Sequence, residues 1–217
     1  MEIGTSKIAK VAGLNIHYTD ALGTGGWDFG LDFLDLFAQK GWKAGRAFEM
    51  CCGPGYIGFA LLAHNLCDTL CLADINPVAV EVCKRTIAEN GLSDRVSVYL
   101  SDGLADIPSH EKWDVVVGNP PQYAQSGARE KRIGKAIKFE LHERIWLDED
   151  WHIHRDLYSG VGKHLMKGAN IAIMEARLGS DENDFIELIR DGGLEYVARL
   201  PCKGDRRFYY VHSRLPE

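Results

Sequence analysis

Four polar residues in this chain each follow, or end, a short apolar run. Glu49 sits in Ala47-Phe48-Glu49-Met50, Asp74 follows the run 69–73, Asp102 follows 96–100, and Asn119 follows 115–117. An acid at the end of a strand is placed to take a hydroxyl pair such as that of a ribose. A carboxamide oxygen accepts N–H groups. Between Glu49 and Asp74 lies Gly53-Pro54-Gly55, a tight turn that lets a ligand lie against bare backbone beside a helix N-terminus. Asp74 stands about twenty residues beyond that turn, the spacing of a ribose-binding acid in a strand–turn–helix–strand unit. One glycine turn is a weak signal, but four polar strand ends in sequence are a stronger one.

The elements that must position these residues follow from pattern. Residues 47–50 read as a buried strand and 56–66 as a helix packed back on the sheet. Asn76 and Pro77 open a second helix as N-cap and first helical residue, and Asn90-Gly91 closes it. Strands at 96–100 and 115–117 end in Ser101-Asp102-Gly103 and Gly118-Asn119-Pro120-Pro121. Further on come a helix over 156–167 with Gly168 as its stop, a strand over 171–175 with Glu175 at its cleft end, and a helix over 185–190. A hairpin of 196–200 and 208–212 turns around Lys203-Gly204-Asp205. The alternation predicts an α/β, Rossmann-like, doubly wound sheet of about seven strands, the last antiparallel.

The order glycine turn, acid, Asp, then Asn-Pro-Pro resembles the class I methyltransferases that use S-adenosylmethionine. Within them it is most similar to the branch with an Asn-Pro-Pro motif, which includes release-factor glutamine and adenine or guanine amino-group methyltransferases. The similarity covers roughly 46–175 and is strongest over 49–121. It implies that Glu49 lies near the methionine end of S-adenosylmethionine, with the Gly53–Gly55 turn against its backbone. Asp74 then takes the ribose hydroxyls and Asp102 the adenine amino group. Cys51, Ile75, Gly103 and Asn119 complete the implied lining. It also implies that the Asn119 side-chain oxygen and the Pro120 carbonyl accept the two N–H bonds of an amide or amine, favouring lone-pair character toward the methyl. The sequence departs from the family pattern twice. Cys51 replaces the first motif glycine, and Gln122 stands where an aromatic usually stacks on the substrate, with Tyr123 one place later.

The 217 residues suit one domain, 1–217, with a helical insertion at about 124–150. In that insertion Ile133, Ile137, Leu141 and Ile145 mark one helical stripe, and Arg129, Lys131, Arg132, Lys135 and Lys138 face only Glu130. A lid that selects acidic substrates and a plain solvated face are both consistent with this. A net charge of −6 argues against coating nucleic acid by charge alone. Arg206, Arg207, Tyr209 and Tyr210 read as alternating edge-strand residues rather than a nucleic-acid surface. No apolar run reaches membrane-span length, and MEIGTSKIAK lacks a signal-peptide core, so the expected location is cytoplasmic. The six cysteines read as reduced, small apolar residues, and His152-x-His154 lacks a third metal ligand, so no metal is expected. Trp27 packs in the core or lies over the site.

Three functions fit. The first is an N-methyltransferase acting on an amide or amino nitrogen of a small molecule or a protein glutamine, with a nucleobase amino group as an alternative acceptor. The second consumes S-adenosylmethionine without methyl transfer, for example by cyclisation of its aminocarboxypropyl arm. The third is a non-catalytic binding module.

Overall fold

A computed structural model describes residues 6–22, 27–124 and 146–217, excepting the side chains of Trp27 and Phe29. Its centre is a seven-stranded sheet in the order β5-β4-β3-β6-β7-β9-β8. The strands are β3 (Ala44–Met50), β4 (Cys67–Asp74), β5 (Val96–Leu100), β6 (Trp113–Gly118), β7 (Leu165–Ala176), β8 (Glu195–Pro201) and β9 (Phe208–Arg214). β3 to β7 pair in parallel, and β9 runs antiparallel between β7 and β8. The expected seven strands with an antiparallel last strand are what the chain forms.

Period-two patterning builds both faces of this sheet. Ala47, Leu70, Leu72, Val115, Val117, Met174 and Tyr210 enter one core. Phe48, Cys71, Ala73, Val116, Ile173, Tyr209 and Val211 enter the other. The first core is covered by α1 (Trp27–Lys40), α2 (Tyr56–Ala63) and α3 (Pro77–Glu89), the second by α4 (His152–Gly160) and α5 (Asn183–Asp191). Strands buried on both faces carry near-continuous apolar runs, as a parallel sheet demands. Tyr209 and Tyr210 are therefore buried on opposite faces of an interior strand, which corrects their reading as edge residues.

Three further boundaries differ from expectation. Leu157, Val161 and Leu165 repeat every four residues and are all buried, which imitates a helix to 167. In fact α4 ends at Gly160, a short 3-10 turn follows, and Leu165 already begins β7. Gly168, with φ +71°, lies within β7, where the register against β6 shifts between Trp113↔Leu165 and Val115↔Asn170. Near the start, β1 (Lys7–Val11) and β2 (Leu14–Tyr18) form a hairpin that sequence reasoning missed. Its signal was the two-residue turn Ala12-Gly13, both with positive φ, between alternating runs. The hairpin docks on α3, where the His17 N–H donates to Thr86 Oγ1 at 2.9 Å and Asn90 Nδ2 donates to the Asn15 carbonyl at 2.9 Å. Finally, Trp27 opens α1. Residues 125–145, and with them the stripe from Ile133 to Ile145 and the basic run, lie outside the described residues. At 146–151 Leu147 bridges Tyr123, and a 3-10 turn over Glu149–Trp151 follows.

The sheet is tied laterally by one carboxylate. Glu111, 3% exposed, accepts a fork from Arg46 (Nε and Nη2, both 2.7 Å) and the Tyr99 hydroxyl at 2.9 Å. Burial pushes its pKa up, but Arg46 and Tyr99 outweigh burial and hold it down at about 2. A depressed carboxylate adds stability that is present above its unfolded pKa and lost as pH falls through the folded one. Glu111→Gln should therefore lose roughly 2–3 kcal/mol at neutral pH, the worth of such a shift. In urea unfolding followed by circular dichroism, the gap to wild type should close between pH 4.5 and about 2.

Candidate active site

The four polar strand ends meet at the carboxyl edge of the sheet. In spatial order they are Asp102 after β5, Asp74 ending β4, Glu49 in β3 and Asn119 after β6, on four neighbouring strands. With strands about 4.8 Å apart the row spans on the order of 15 Å, a length suited to an extended ligand.

The acids also build the turn they flank. Glu49 is 2% exposed, and its Oε2 accepts from the Gly58 N–H at 2.7 Å, so a strand carboxylate caps α2 in place of a local side chain. Gly58 has no room for a side chain: a Cβ there would stand 2.7 Å from Leu70 Cδ1 and 2.8 Å from Glu49 Oε2. Burial raises the Glu49 carboxyl to about 8, against the lowering effect of the Gly58 and Ile57 N–H groups. Asp74 accepts from the Gly53 N–H at 2.7 Å and the Asn76 N–H at 2.8 Å, and burial raises its pKa too. The turn between runs through positive φ at Cys51 (+47°), Gly53 (+50°) and Gly55 (+78°). Cys51 thus adopts the backbone expected of the motif glycine it replaces, at a cost of about 1–2 kcal/mol. Around Gly53 no described atom comes within 4 Å of where a Cβ would lie, so its backbone is open to a ligand. Exposed Ile75 and Leu100 stand beside Asp74, an apolar pair at the ends of β4 and β5; Leu100 was not anticipated. Asp102 is exposed, and Gly103 (φ +53°) completes its turn.

On the other side, Gln122 departs from expectation. It is buried at 4% exposure, and its Nε2 donates both to the Met174 carbonyl at 2.9 Å and to Asn119 Oδ1. The Met174 carbonyl only accepts, so Gln122 must present its amide nitrogen, and Asn119 must present its oxygen. Tyr123 is also buried, its ring 6.3 Å from that of Trp146. The Gln122 and Tyr123 N–H groups both donate to the Trp146 carbonyl, at 3.1 and 3.0 Å, and Asp148 N–H donates to the Tyr123 carbonyl at 3.0 Å. Gly179 packs on this loop so closely that a Cβ would fall 2.2 Å from the Gln122 carbonyl oxygen.

Behind the loop lies a buried ion chain. His154 is fully buried, with Nδ1 2.5 Å from Asp148 Oδ2 and Nε2 2.6 Å from Glu175 Oε1. Glu175 Oε2 accepts from Ser180 Oγ at 2.9 Å. Burial alone would lower the imidazole pKa, but Glu175 and Asp148 overcome it and raise it to about 9. Burial raises Glu175 as well. Both ring nitrogens face carboxylate oxygens, and the imidazolium satisfies both contacts at once. Glu175 thus faces His154 rather than a ligand. Exposed His152 pairs with Asp156 at 3.3 Å, and among the described residues no His, Cys, Asp or Glu group could hold a metal. All six cysteines are free, five of them buried.

Residues 21–140 match the family model described as "Methyltransferase small domain", more than half of the chain. The chain belongs to the methyltransferase small domain family. Over 78 residues it is 40% identical to "Ribosomal RNA small subunit methyltransferase C" of Shewanella sp. (strain MR-4), covering 36% of this chain and 22% of that protein. The protein of the same description from Shewanella baltica (strain OS155 / ATCC BAA-1091) is 38% identical over 107 residues, 48% of this chain and 30% of its own length. The chain thus spans less than a third of either relative. An S-adenosylmethionine-dependent methyltransferase from Clostridium acetobutylicum ATCC 824 shares the fold with a TM-score of 0.60, at 8% identity over 90% of this chain and 94% of that one. Among the described residues no helix is long and apolar enough to cross a membrane.

The ion chain sets a stability expectation. A raised histidine pKa contributes stability that is complete below the ordinary value of 6.5 and lost as pH rises through about 9. His154→Ala would leave two buried carboxylates facing each other and should cost about 3–5 kcal/mol. Urea titrations at pH 6 and at pH 10 check both statements: the penalty should be largest at the lower pH.

Proposed function

We propose that this chain is a class I S-adenosylmethionine-dependent methyltransferase of the Asn-Pro-Pro branch that modifies the exocyclic amino nitrogen of an RNA base. The observation that carries the reading is the hydrogen-bond order Met174 carbonyl, Gln122 amide, Asn119 oxygen, which commits Asn119 to accept at the mouth of the site. An exocyclic amine is a poor nucleophile because its lone pair is delocalised into the ring. Asn119 Oδ1, through its second lone pair, and the Pro120 carbonyl take its two N–H bonds and favour lone-pair character on nitrogen. The ribosomal RNA descriptions of the curated relatives support a base over the small-molecule or glutamine acceptors that the sequence placed first.

When bound, S-adenosylmethionine supplies a methyl already activated by the sulfonium charge. The residues present fit that group. Asp74 is placed for the ribose hydroxyls, Ile75 and Leu100 for the faces of the adenine, and Asp102 for its amino group. The open backbone at Gly53 lies between, with Cys51, Gly55 and Gly103 shaping the flanking turns. Glu49 at the head of the row is a buried carboxyl that a nearby cation would draw into its ionised form. Gln122 is a positioning residue rather than a stacking surface, and Trp146, 37% exposed beside Tyr123, offers the aromatic face instead. Residues 1–217 act as one domain in this reading, with 124–150 as an insertion.

Mass spectrometry of an oligoribonucleotide incubated with enzyme and cofactor tests the reading. It expects a methylated base and S-adenosylhomocysteine. Methylthioadenosine without added acceptor would favour consumption of the cofactor instead. Asn119→Ala should lower kcat at least about a hundredfold, the scale of a lost transition-state contact, with cofactor affinity within twofold of wild type. Asp74→Ala should weaken cofactor binding by roughly 1–3 kcal/mol in calorimetry; equal affinity would remove Asp74 from the site.

Gln122→Leu frees the Asn119 amide to turn over. It should reduce kcat about tenfold, the effect of one positioning hydrogen bond, without changing the KM for S-adenosylmethionine. Gln122→Glu should lose activity as pH rises, because its ionised carboxylate only accepts and is repelled by both partners. A flat pH profile matching wild type would refute this role.

A further inference from the structure

The tip of the β8–β9 hairpin stands at the same edge of the sheet as the row of site residues. β8 runs parallel to β7, so Pro201 and the 202–207 turn come level with Arg177, which directly follows β7. There Arg177, Lys203 and Arg206 line an open cavity of about 460 Å³, together with Pro201 and Cys202. All three cations are exposed. Arg177 is held in place: its Nε donates to the Arg206 carbonyl at 2.9 Å, and its guanidinium lies 5.8 Å from the centre of the Tyr209 ring. That carbonyl uses one of the five guanidinium N–H donors.

The nearby acids do not cancel this charge. Asp205 is taken by its own fork from Arg207, whose Nε donates to both of its oxygens at 3.0 and 2.9 Å. Asp32 lies beneath Gly204, where a Cβ would fall 1.9 Å from its Oδ1, and is buried rather than lining the cavity. A chain of net charge −6 therefore gathers three cations around one concavity on its substrate edge. Next to Arg177, Leu178 is 73% exposed, and Gly179 touches the Gln122 loop. The cationic cavity thus begins on the strand next to that of Asn119 and three residues farther along it, across an apolar lip.

We propose that Arg177, Lys203 and Arg206 form a phosphate subsite that holds the backbone of a single-stranded RNA while an unstacked base beside it enters the Asn119 cleft. The inference rests on the RNA reading above. Cations at a groove fix register by gripping phosphates, and the base is read elsewhere. A base paired in an A-form helix cannot reach a pocket, so the strand must be unpaired or its base flipped at this point.

Fluorescence anisotropy with a short labelled single-stranded oligoribonucleotide, across a salt series, tests the subsite on the full chain. Arg177→Ala, Lys203→Ala and Arg206→Ala combined should weaken binding at least about tenfold at low salt. The slope of log affinity against log salt should fall by about 2, at roughly 0.7 per phosphate contact. A control combining Lys43→Ala, Lys112→Ala and Lys163→Ala removes the same charge at the opposite edge of the sheet and should keep the wild-type slope. Calorimetry with S-adenosylmethionine, unchanged in both variants, reports an intact fold.

Failure of wild type to bind RNA, an unchanged slope in the first variant, or an equal loss in the control overturns the subsite. So does displacement of the RNA by polyglutamate as effective as displacement by unlabelled RNA. The acceptor reading fails separately. Wild type that grips RNA through these cations but leaves it unmethylated refutes the acceptor and supports the subsite. Equal RNA KM in wild type and the first variant supports the acceptor and refutes the subsite.

Discussion

The structure depends on how the N–H groups of one turn are satisfied. Between β3 and α2 the backbone passes through three positive-φ residues and exposes the first N–H groups of a helix that has no local capping side chain. Glu49, from the preceding strand, takes the Gly58 N–H, and Asp74, from the next strand over, takes the Gly53 N–H. The Cys52 N–H goes to the Ala73 carbonyl at 3.0 Å. Buried donors left unpaired are expensive, so the two acids stabilise the turn whether or not a ligand is present. Each carboxylate has further lone pairs, which leaves the groups that hold the frame able to accept from other donors as well.

The acceptor side follows a related logic with different groups. There the support falls on the loop after Asn119. It is held by backbone pairing to 146–148, by contact with Gly179, and by the Asp148–His154–Glu175 chain beyond. The chain joins three separate stretches of sequence in a water-free space, where a paired charge is tolerable only if its partners are fixed. His154 is further clamped by stacking on Phe185, with ring centres 4.6 Å apart. Fixing this wall fixes Gln122, and Gln122 fixes which atom Asn119 shows to the cleft. The polarity of the acceptor site is therefore set by a carbonyl of β7, a strand over from Asn119.

The two edges of the sheet divide the labour. At the amino edge of β3 and β6, Arg46 and Glu111 neutralise each other and offer nothing to a ligand. At the carboxyl edge Glu49 and Asp74 stand apart from cations, with raised rather than lowered pKa values, and the cations gather separately on the β8–β9 tip. Charges kept apart on one edge favour ligands that bring their own complementary charges, cationic at one end of the site and anionic at the other.

The sequence by itself determined the layered fold and the row of polar strand ends on one edge of the sheet. Alternating apolar strands, the Gly53–Gly55 turn and the Asn76-Pro77 start are local signals, and strand ends in a doubly wound sheet fall on one edge whatever the side-chain detail. Glu49, Asp74, Asp102 and Asn119 were legible for that reason. The tertiary structure decided what no local pattern encodes. Gln122 is a buried donor because a carbonyl fifty-two residues away accepts from it. His154 is an ion-chain centre because β7 delivers Glu175 to its far side. Tyr209 and Tyr210 are core because β9 inserts between β7 and β8 instead of lying at the edge. In each case the partner is distant in sequence, and the role comes from which atom lies opposite, a property of packing rather than of periodicity.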